Sequence, residues 1–171
     1  MLMLGSAVQQ DGASASLTAP NGSSQRRLLL SVRREARAEA SDARCLEAHG
    51  TGTGLGDPIE VGSAVEAMAS AAEGSRQGGA LVCGSLKANL GHLEAMAAGG
   101  GMLVLMRVVL ERSATTRNAQ LRWRNAHLKM LMREEGCVFG LEARPGSLAR
   151  NDEASGLNSF GYSGTVGHCS Q

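Results

Sequence analysis

The side chains in this sequence that could do chemistry fall in three glycine-rich runs: "EAHGTGTGLGDP" (47–58), "GSLKANLGH" (84–92) and "NSFGYSGT" (158–165). The first run contains His49, the second contains Lys87 and His92, and the third contains Tyr162. Imidazole and ammonium groups can move protons or donate hydrogen bonds to negative charge that develops on a substrate. The ends of neighbouring strands in an α/β sheet commonly form an active site. Because each run lies at the end of a short apolar segment, we expect the three runs to form one site.

Two other kinds of site fit these runs less well. A Walker A phosphate loop needs a lysine after its last glycine, which is absent here, and the dinucleotide pattern G-x-G-x-x-G fails because Asp57 stands where the third glycine is required. A metal site of the H-E-x-x-H kind needs a histidine four residues after His92, where Met96 stands. Cys45 precedes His49 by four residues, but on a strand that spacing does not bring both side chains to one ion. The sequence therefore predicts neither a nucleotide site nor a metal site.

Length, composition and charge narrow the class of protein. The chain has 171 residues, which suits one domain or part of one, and 43% are hydrophobic but only 2% aromatic, so small aliphatic side chains must build the core. The net charge of +1 gives no overall field that would attract nucleic acid or a membrane surface. Its apolar stretches are too short for a signal peptide or a membrane span, so we expect a cytoplasmic protein. No C-x-x-C pair occurs, and we expect reduced, mostly buried thiols at Cys45, Cys83, Cys137 and Cys169.

The hydrophobic pattern predicts an α/β layered fold. Helices are expected over 24–40, 57–72 and 89–111. Short strands are expected over 44–49, 80–85, 136–141 and in two pieces within 156–170. Ser23 or Ser24 is predicted to cap the first helix, and Asp57 to cap the second with Pro58 at its first position. The last helix is apolar almost all round and contains Gly99–Gly101, which predicts burial and close packing against another backbone.

The three runs, in this order, resemble three signatures of the β-ketoacyl synthase family, in its type I polyketide synthase branch. Two further segments are similar to the same family: "GSAVQQDGASASLTAPNGSSQ" (5–25) resembles the entry to the second half of such domains, and "NAQLRWRNAH" (118–127) resembles a later asparagine-to-histidine segment. The resemblance covers nearly the whole chain. It implies a thiolase-like layered α/β fold, of which residues 1–171 would be the C-terminal half, in a ketosynthase of polyketide or fatty acid biosynthesis.

The resemblance implies decarboxylative condensation as the reaction. An acyl chain on a cysteine is attacked by the carbanion that forms when a malonyl-type thioester on an acyl carrier protein loses CO₂. The resulting enolate needs hydrogen-bond donors, each typically worth a few kcal/mol in a dry site. By their positions in the motifs, His49 and His92 match the family's histidine pair, and Lys87 matches the lysine that supports the network around the second histidine. These three residues are expected to be catalytic.

The resemblance also implies how the substrate is held. Thr51 and Thr53 match the threonines that hydrogen-bond the phosphopantetheine arm of the carrier protein, and the alternative role of both hydroxyls is to close turns. Tyr162 lies where the family has a gatekeeping aromatic, in many members a phenylalanine, and its backbone N–H would contribute to an oxyanion hole. No directly bound cofactor is expected, because the phosphopantetheine of the acyl carrier protein carries the substrates.

The chain departs from the family because it lacks the nucleophilic cysteine. In the family that residue stands in a serine-rich context in the first half of the domain, and none of the four cysteines here has such a context. The expected partners are therefore the missing N-terminal half, an acyl carrier protein, acyl and malonyl-type thioesters, and a second copy in a homodimer of the complete domain. Val166 and Gly167 also stand where asparagine and alanine are usual, which affects local packing more than chemistry.

Two alternatives stay open at this point. The chain could be an inactive or decarboxylase-only ketosynthase-like protein, because no nucleophile is in view. It could also be a docking module: residues 107–133 hold seven basic side chains against one acid, Glu111, which would suit an acidic carrier protein. A solvated surface is the other interpretation of that stretch, and the scarcity of aromatic residues argues against stacking on single-stranded nucleic acid.

Overall fold

The computed structural model of the chain describes residues 2–14, 16, 19–38, 43–69, 81–111, 125–129, 137–139 and 154–170. These residues contain one six-stranded sheet with the order β1-β6-β5-β2-β3-β4. Its strands are β1 (Gly5–Gln10), β2 (Ala43–Glu47), β3 (Leu81–Gly84), β4 (Cys137–Phe139), β5 (Ala154–Phe160) and β6 (Thr165–Ser170). The α-helices of the same residues are α1 (Gly22–Ala36), α2 (Gly56–Ala69), α3 (Lys87–Leu90) and α4 (Ala97–Glu111).

The strand directions bring the three glycine-rich runs to one edge of the sheet. Strands β5, β2, β3 and β4 run parallel to one another, and β6 is antiparallel to both of its neighbours. Glu47, the last residue of β2, lies opposite Gly84 at the end of β3 and Leu157 in β5. Since β2, β3 and β5 end at the same edge, the runs that follow them begin side by side, as the sequence predicts.

The first strand, β1, is absent from the sequence prediction. It pairs with β6 along its whole length, from Gly5 opposite Ser170 to Gln10 opposite Thr165. Glycine, serine and glutamine have little preference for strands, and packing against a neighbour decides β-structure more than intrinsic propensity does. The pairing with β6 therefore creates this strand, and the local sequence does not.

The sheet lies between two helical layers. Leu29 of α1 and Val65 of α2 share a buried cluster with Leu46 of β2. The preceding residue, Cys45, is buried in a second cluster with Val104 of α4. Because successive strand side chains point to opposite faces, α1 and α2 cover one face of the sheet and α4 covers the other. This is the layered α/β arrangement that the sequence predicts.

Helix α1 begins at a different cap from the predicted one. Asn21 is the N-cap, and its side-chain oxygen accepts a hydrogen bond from the Ser24 backbone N–H at 3.1 Å. Ser24 is buried instead, and its hydroxyl donates to the carbonyl oxygen of Gln10 at 3.1 Å. The predicted cap at Ser23 or Ser24 is therefore wrong. Residue type alone does not decide between these positions, because asparagine is as good an N-cap as serine.

Helix α2 begins at Gly56, one residue before the predicted N-cap Asp57. The Asp57 carboxylate turns back and accepts a hydrogen bond from the Gly52 N–H at 3.0 Å, while Thr53 Oγ1 accepts one from the Gly56 N–H at 3.0 Å. Pro58 lies in the first turn, where its missing N–H costs no helical bond. The helix thus begins two residues before Pro58, the predicted first position, and the predicted cap at Asp57 is wrong.

The single long helix predicted over 89–111 is wrong. The chain instead forms α3, a turn, a short 3₁₀ segment (Glu94–Met96) and then α4. Gly91 ends α3 with φ = +79°, a left-handed value that glycine adopts at little cost. His92 lies in this break, so the interruption places a predicted catalytic residue at the sheet edge instead of on a helix.

Two glycines of α4 allow it to pack closely, but against side chains and not against another backbone as predicted. A Cβ atom on Gly101 would lie 2.5 Å from Cδ1 of Leu157 in β5, and one on Gly100 would lie 2.7 Å from Cδ1 of Leu93. Both distances are too short for carbon–carbon contact. Glycine at position 101 therefore lets α4 lie close to the sheet, and glycine at position 100 leaves room for the Leu93 and Leu86 side chains.

The other side of α4 is exposed within the described residues. Leu103 is 65% exposed, Met106 38% and Leu110 74%, and their spacing places them on one stripe of the helix. The predicted burial on nearly all sides is therefore not met by the described part of the chain. None of its helices is both long enough and apolar enough to cross a membrane.

Candidate active site

One open cleft of about 1170 Å³ collects the side chains that the sequence singled out. It lies at the edge where β2, β3 and β5 end. The lining residues that matter here are His49, Thr51, Thr53, His92, Phe160 and Tyr162. Of the six predicted site residues, only Lys87 does not line this cleft.

The two predicted catalytic histidines meet in the cleft. The ring centroids of His49 and His92 are 5.9 Å apart, and the rings meet edge-on at 82°. His49 is half-buried and packs against Phe160, with ring centroids 5.3 Å apart, while His92 is exposed. A small acyl group between the two imidazoles could therefore contact both of them.

Backbone amides determine which ring nitrogen of each histidine carries the proton. The Phe160 N–H donates to His49 Nδ1 at 3.2 Å, and the Glu94 N–H donates to His92 Nδ1 at 2.9 Å. A nitrogen that accepts a hydrogen bond is unprotonated, so the proton of each neutral ring is on Nε2. Both histidines are therefore Nε2–H donors, a tautomer assigned here from the hydrogen-bond partners.

Electrostatics keep His49 neutral. Burial is the main cause that lowers the pKa of His49 from 6.5 to about 4, and the charge of Lys87 and, when it is protonated, of His92 contribute to the same shift. At neutral pH the imidazole therefore carries no charge, and it can donate a hydrogen bond without competing as an acid. Its site suits stabilisation of a negative oxygen more than proton transfer.

Lys87, the first residue of α3, does not line the cleft. It is half-buried, and burial lowers the pKa of Lys87 while the charges of Glu60 and Glu47 raise it. The charge of the ammonium group in turn lowers the pKa of Glu47 and that of His49. Because Lys87 does not line the cleft, it can act on the site through its charge and not by touching a substrate there.

The two predicted substrate-binding threonines are exposed at the mouth of the cleft. Thr53 closes a turn, since its hydroxyl accepts the Gly56 N–H, and its carbonyl oxygen accepts a hydrogen bond from Asn125 Nδ2 at 3.1 Å. A hydroxyl that accepts one hydrogen bond still has its own proton to donate. The turn-closing role of Thr53 is therefore present and compatible with binding a ligand.

Tyr162 lies at the tip of the turn between β5 and β6. Its side chain is 93% exposed and lines the cleft from outside. The aromatic ring that packs against His49 is Phe160, two residues earlier in the same motif, and the sequence interpretation did not single it out. Alternation along β5 is the signal that could have identified it, because Asn158 and Phe160 share one face of the strand.

A buried carboxylate that the sequence interpretation missed holds the first glycine run in place. Glu60 of α2 is only 3% exposed. Its oxygens accept hydrogen bonds from the His49 N–H at 2.7 Å, the Gly50 N–H at 3.0 Å and Asn158 Nδ2 at 2.8 Å. Burial raises the pKa of Glu60, and these three donors oppose that shift. The sequence offered one sign of this burial: Glu60 stands between two apolar residues, Ile59 and Val61, of a predicted helix.

A second buried carboxylate holds the second run. Glu47, at the end of β2, accepts a hydrogen bond from the Leu86 N–H at 2.6 Å through Oε1. Burial raises the pKa of Glu47 to about 7, although the Leu86 bond and the charge of Lys87 lower it. Each of the two histidine-bearing runs is thus attached to a buried glutamate.

The described cysteines lie away from the cleft. Cys45 and Cys83 are buried, Cys169 is partly buried, and none of these three lines the cleft. Over the described ranges, no group of three or more histidine, cysteine, aspartate or glutamate side chains comes together as metal ligands would. The side chain of Cys137 lies outside the described residues.

Comparison with known sequences and structures identifies the family. A family model described as β-ketoacyl synthase, C-terminal domain, matches residues 2–122. The chain is 39% identical over 173 residues to the spectinabilin polyketide synthase system protein NorA' of Streptomyces orinoci, covering 98% of this chain and 4% of that protein. It is 36% identical over 168 residues to the erythronolide synthase EryA2 of Saccharopolyspora erythraea, covering 98% of this chain and 4% of that protein. The chain thus spans a small fraction of the length of these relatives.

Solved structures agree with the sequence matches. The ketosynthase from module 6 of the bacillaene synthase of Bacillus subtilis superposes with a TM-score of 0.82 at 26% identity, covering 98% of this chain and 29% of that one. An oxazolomycin ketosynthase domain of Streptomyces albus has the same fold, with a TM-score of 0.83 at 24% identity over 98% of this chain and 28% of that one. The fold is therefore the C-terminal part of the thiolase-like ketosynthase fold. The chain belongs to the β-ketoacyl synthase family and matches its C-terminal domain.

Proposed function

We propose that this chain forms the C-terminal half of a ketosynthase domain of the type I polyketide synthase kind, and that its cleft decarboxylates a malonyl-type thioester for condensation. The observation that carries the proposal is the pair of Nε2–H imidazoles, His49 and His92, 5.9 Å apart in one cleft. Both rings are held by backbone amides, so both donors are in place before a substrate arrives. Pre-positioned donors of this kind stabilise charge that develops in a transition state.

The chemistry follows from where the electrons go. When the carbon–carbon bond to the malonyl carboxylate breaks, CO₂ leaves and the electron pair forms an enolate whose negative charge lies on the thioester oxygen. The Nε2–H groups of His49 and His92 donate hydrogen bonds to that oxygen. The enolate carbon then attacks an acyl thioester on a cysteine, and the cysteine thiolate leaves as the β-ketoacyl product forms.

Lys87 has an electrostatic role in this proposal. Its charge helps to keep His49 neutral, and it lies close enough to Glu60 and Glu47 for their charges to act on it in return. A cation at this position also attracts the carboxylate of an incoming malonyl group. In this proposal Lys87 therefore supports the two histidines through its charge, without lining the cleft.

The mouth of the cleft is proposed to hold the phosphopantetheine arm of an acyl carrier protein. Thr51 and Thr53 are exposed there, and the hydroxyl of Thr53 keeps its proton for a ligand while it closes its own turn. Tyr162 would gate the acyl end from the turn between β5 and β6, with its backbone N–H as an oxyanion donor. No cofactor bound directly to this chain is part of the proposal.

The nucleophilic cysteine is proposed to come from an N-terminal half-domain. Two observations support this: none of the three described cysteines lines the cleft, and the matched ketosynthase structure is more than three times as long as this chain. The exposed stripe of α4, formed by Leu103, Met106 and Leu110, is where the other half would pack. The complete domain is expected to form a homodimer.

The remaining expectations stay predictions. The basic stretch 107–133, proposed as a docking surface for an acidic carrier protein, falls largely outside the described residues. The cytoplasmic location also stays a prediction, and so does the assignment of residues 1–171 as an incomplete, C-terminal part of a ketosynthase domain. Decarboxylation without condensation is the second candidate function, and the cleft without a cysteine favours it for the chain alone.

The test is CO₂ release from a malonyl thioester by the chain in complex with the N-terminal half of a related ketosynthase. His49→Ala and His92→Ala should each slow decarboxylation on the order of 10²-fold or more, because each removes one donor to the enolate oxygen. Acyl loading of the partner's cysteine should change little. His127→Ala is the matched control, since His127 is exposed and does not line the cleft. Near-normal decarboxylation by both variants would show that the wrong histidines are assigned.

A further inference from the structure

A buried histidine on β6 has no part in the mechanism described so far. His168 is only 8% exposed, and its Nδ1 lies 2.6 Å from Oδ1 of Asn158, the residue directly opposite it on β5. Burial lowers the pKa of His168 to about 4, so the ring is neutral at physiological pH. A neutral, buried imidazole with a single close polar partner indicates a specific structural task.

Hydrogen bonds connect His168 to the candidate catalytic loop in three steps. Asn158 accepts from His168 through Oδ1 and donates through Nδ2 to Glu60 Oε1 at 2.8 Å. Glu60 in turn accepts the backbone N–H groups of His49 and Gly50. The path therefore runs from β6 through β5 and α2 to the residue that carries a cleft imidazole.

The direction of each bond defines the tautomer of His168. The Asn158 amide must turn its NH₂ toward the Glu60 carboxylate, since a carbonyl oxygen there would face another acceptor. Its oxygen then faces His168 Nδ1, which must carry the ring proton. His168 is therefore an Nδ1–H tautomer, the opposite of His49 and His92.

Packing holds the ring in this orientation. A Cβ atom on Gly156 would lie 2.7 Å from His168 Cε1 and 3.1 Å from Nε2, so the glycine leaves the space that the imidazole occupies. Gly156 and Asn158 lie on the same face of β5, because they are two residues apart. The strand thus provides both the space for the ring and its hydrogen-bond acceptor.

We propose that His168 and Asn158 are positioning residues for the cleft: together they orient the Glu60 carboxylate, which fixes the backbone at His49 and Gly50 and with it the His49 imidazole. This inference rests on the proposed function, because it assigns the purpose of the network to the catalytic loop. Misplacement of a catalytic group by about 1 Å can cost on the order of 10²-fold in rate. A residue three hydrogen bonds from the cleft can therefore control the reaction without touching the substrate.

Two substitutions at His168 separate positioning from simple packing. His168→Asn keeps an N–H donor near the position of Nδ1, whereas His168→Leu keeps apolar volume and removes the donor. In the complex of the full chain with an N-terminal half-domain, His168→Leu should lower kcat for decarboxylation on the order of 10²-fold with little change in KM. His168→Asn should retain most of the rate. Equal losses in a folded complex for both variants, or no loss for His168→Leu, would overturn the proposal.

A second readout needs no activity. Imidazole ¹⁵N chemical shifts should show His168 protonated at Nδ1 and both His49 and His92 protonated at Nε2. In His168→Leu the His49 ring should lose its fixed tautomer, because its backbone is no longer held. If His168 proves to be an Nε2–H tautomer, or if His49 keeps its signature in His168→Leu, the positioning role is wrong. If the tautomers are as stated but the unsubstituted complex releases no CO₂, the proposed function fails while the network stands.

A milder variant covers the case in which His168→Leu does not fold. Gly156→Ala keeps both partners but pushes the ring, since the new methyl group would lie 2.7 Å from His168 Cε1. It should lower kcat and broaden the His168 signals. Gly167→Ala is its control, because Gly167 lies next to His168 on the opposite face of β6, does not line the cleft, and its new methyl group would meet its nearest atom at 3.4 Å. A Gly156→Ala complex with normal kcat and an unchanged His168 tautomer would also overturn the proposal.

Discussion

The exposed stripe of α4 allows a direct test of the half-domain proposal. Leu103, Met106 and Leu110 are exposed by 65%, 38% and 74%, so together they leave slightly less than two whole side chains in water. At about 1.5–3 kcal/mol for each fully buried side chain, covering them is worth about 3 to 5 kcal/mol. A typical domain has a net stability of only about 5–15 kcal/mol. Losing this cover should therefore leave the chain alone poorly folded or prone to aggregate.

Polar substitutions on the stripe should have opposite effects on the chain alone and on the complex. Leu103→Gln and Leu110→Gln change little in helix propensity, so the chain alone should bind less apolar dye and stay more soluble. In complex with the N-terminal half of a related ketosynthase, each variant should lower the melting temperature and weaken assembly. Leu2→Gln is the control, because Leu2 is 73% exposed but lies outside α4.

The half-domain proposal is tested by three measurements, each made with and without the partner half: soluble yield, dye binding and thermal unfolding. A chain that purifies alone as a monomer, with a sharp cooperative transition and no dye-accessible apolar patch, would be a self-sufficient domain. The reasoning would also be refuted if Leu103→Gln and Leu110→Gln left both the solubility of the chain and the stability of the complex unchanged.

Three further outcomes are expected. The chain alone should not become stably acylated by acyl thioesters, because no described cysteine lines the cleft; stoichiometric labelling of any cysteine, located by mass spectrometry, would contradict this. Glu47→Gln should gain stability relative to the unsubstituted complex as the pH rises from about 4.5 to about 7. Burial raises the pKa of Glu47 to about 7, so over this range the carboxyl group ionises more readily in the unfolded chain than in the folded one, and the folded state loses stability. A difference in unfolding free energy between the two complexes that does not change with pH would contradict this. Gly101→Ala should destabilise the complex by about 1–3 kcal/mol through overpacking against Leu157, while Gly99→Ala, which meets only the flexible end of Met96, should not; equal effects on chemical unfolding would refute the close-packing argument.

Local sequence was informative wherever a local interaction decides the structure. Pro58 near the start of α2 and the tight turn between β5 and β6 were predicted in the right places. The α/β layering and the family also followed from the sequence, since the three motifs are contiguous segments. Two predictions failed for reasons that are also local. The cap at Asn21 and the end of α3 at Gly91 each depend on a few φ and ψ angles, which residue type only biases.

In the candidate site, too, some residues could be predicted from the sequence and others could not. His49, His92 and their glycine-rich runs were visible in the sequence, and the structure brings them together. Glu60, Glu47 and Phe160 were missed, because a buried glutamate looks like a surface residue until its donors are known. Whether Thr51, Thr53, Lys87 and Tyr162 act on a substrate stays a prediction for the experiments above.

The sequence by itself determined which chemical groups this protein can offer and the order in which strands and helices present them. Only the tertiary structure decided the protonation state of those groups. The N–H that makes His49 an Nε2–H donor belongs to Phe160, which is 111 residues away in the chain. The donor that orients Glu60 comes from Asn158, 98 residues away. Contacts at such separations depend on the pairing and register of strands β2, β5 and β6, and no local preference of the residues involved specifies that register.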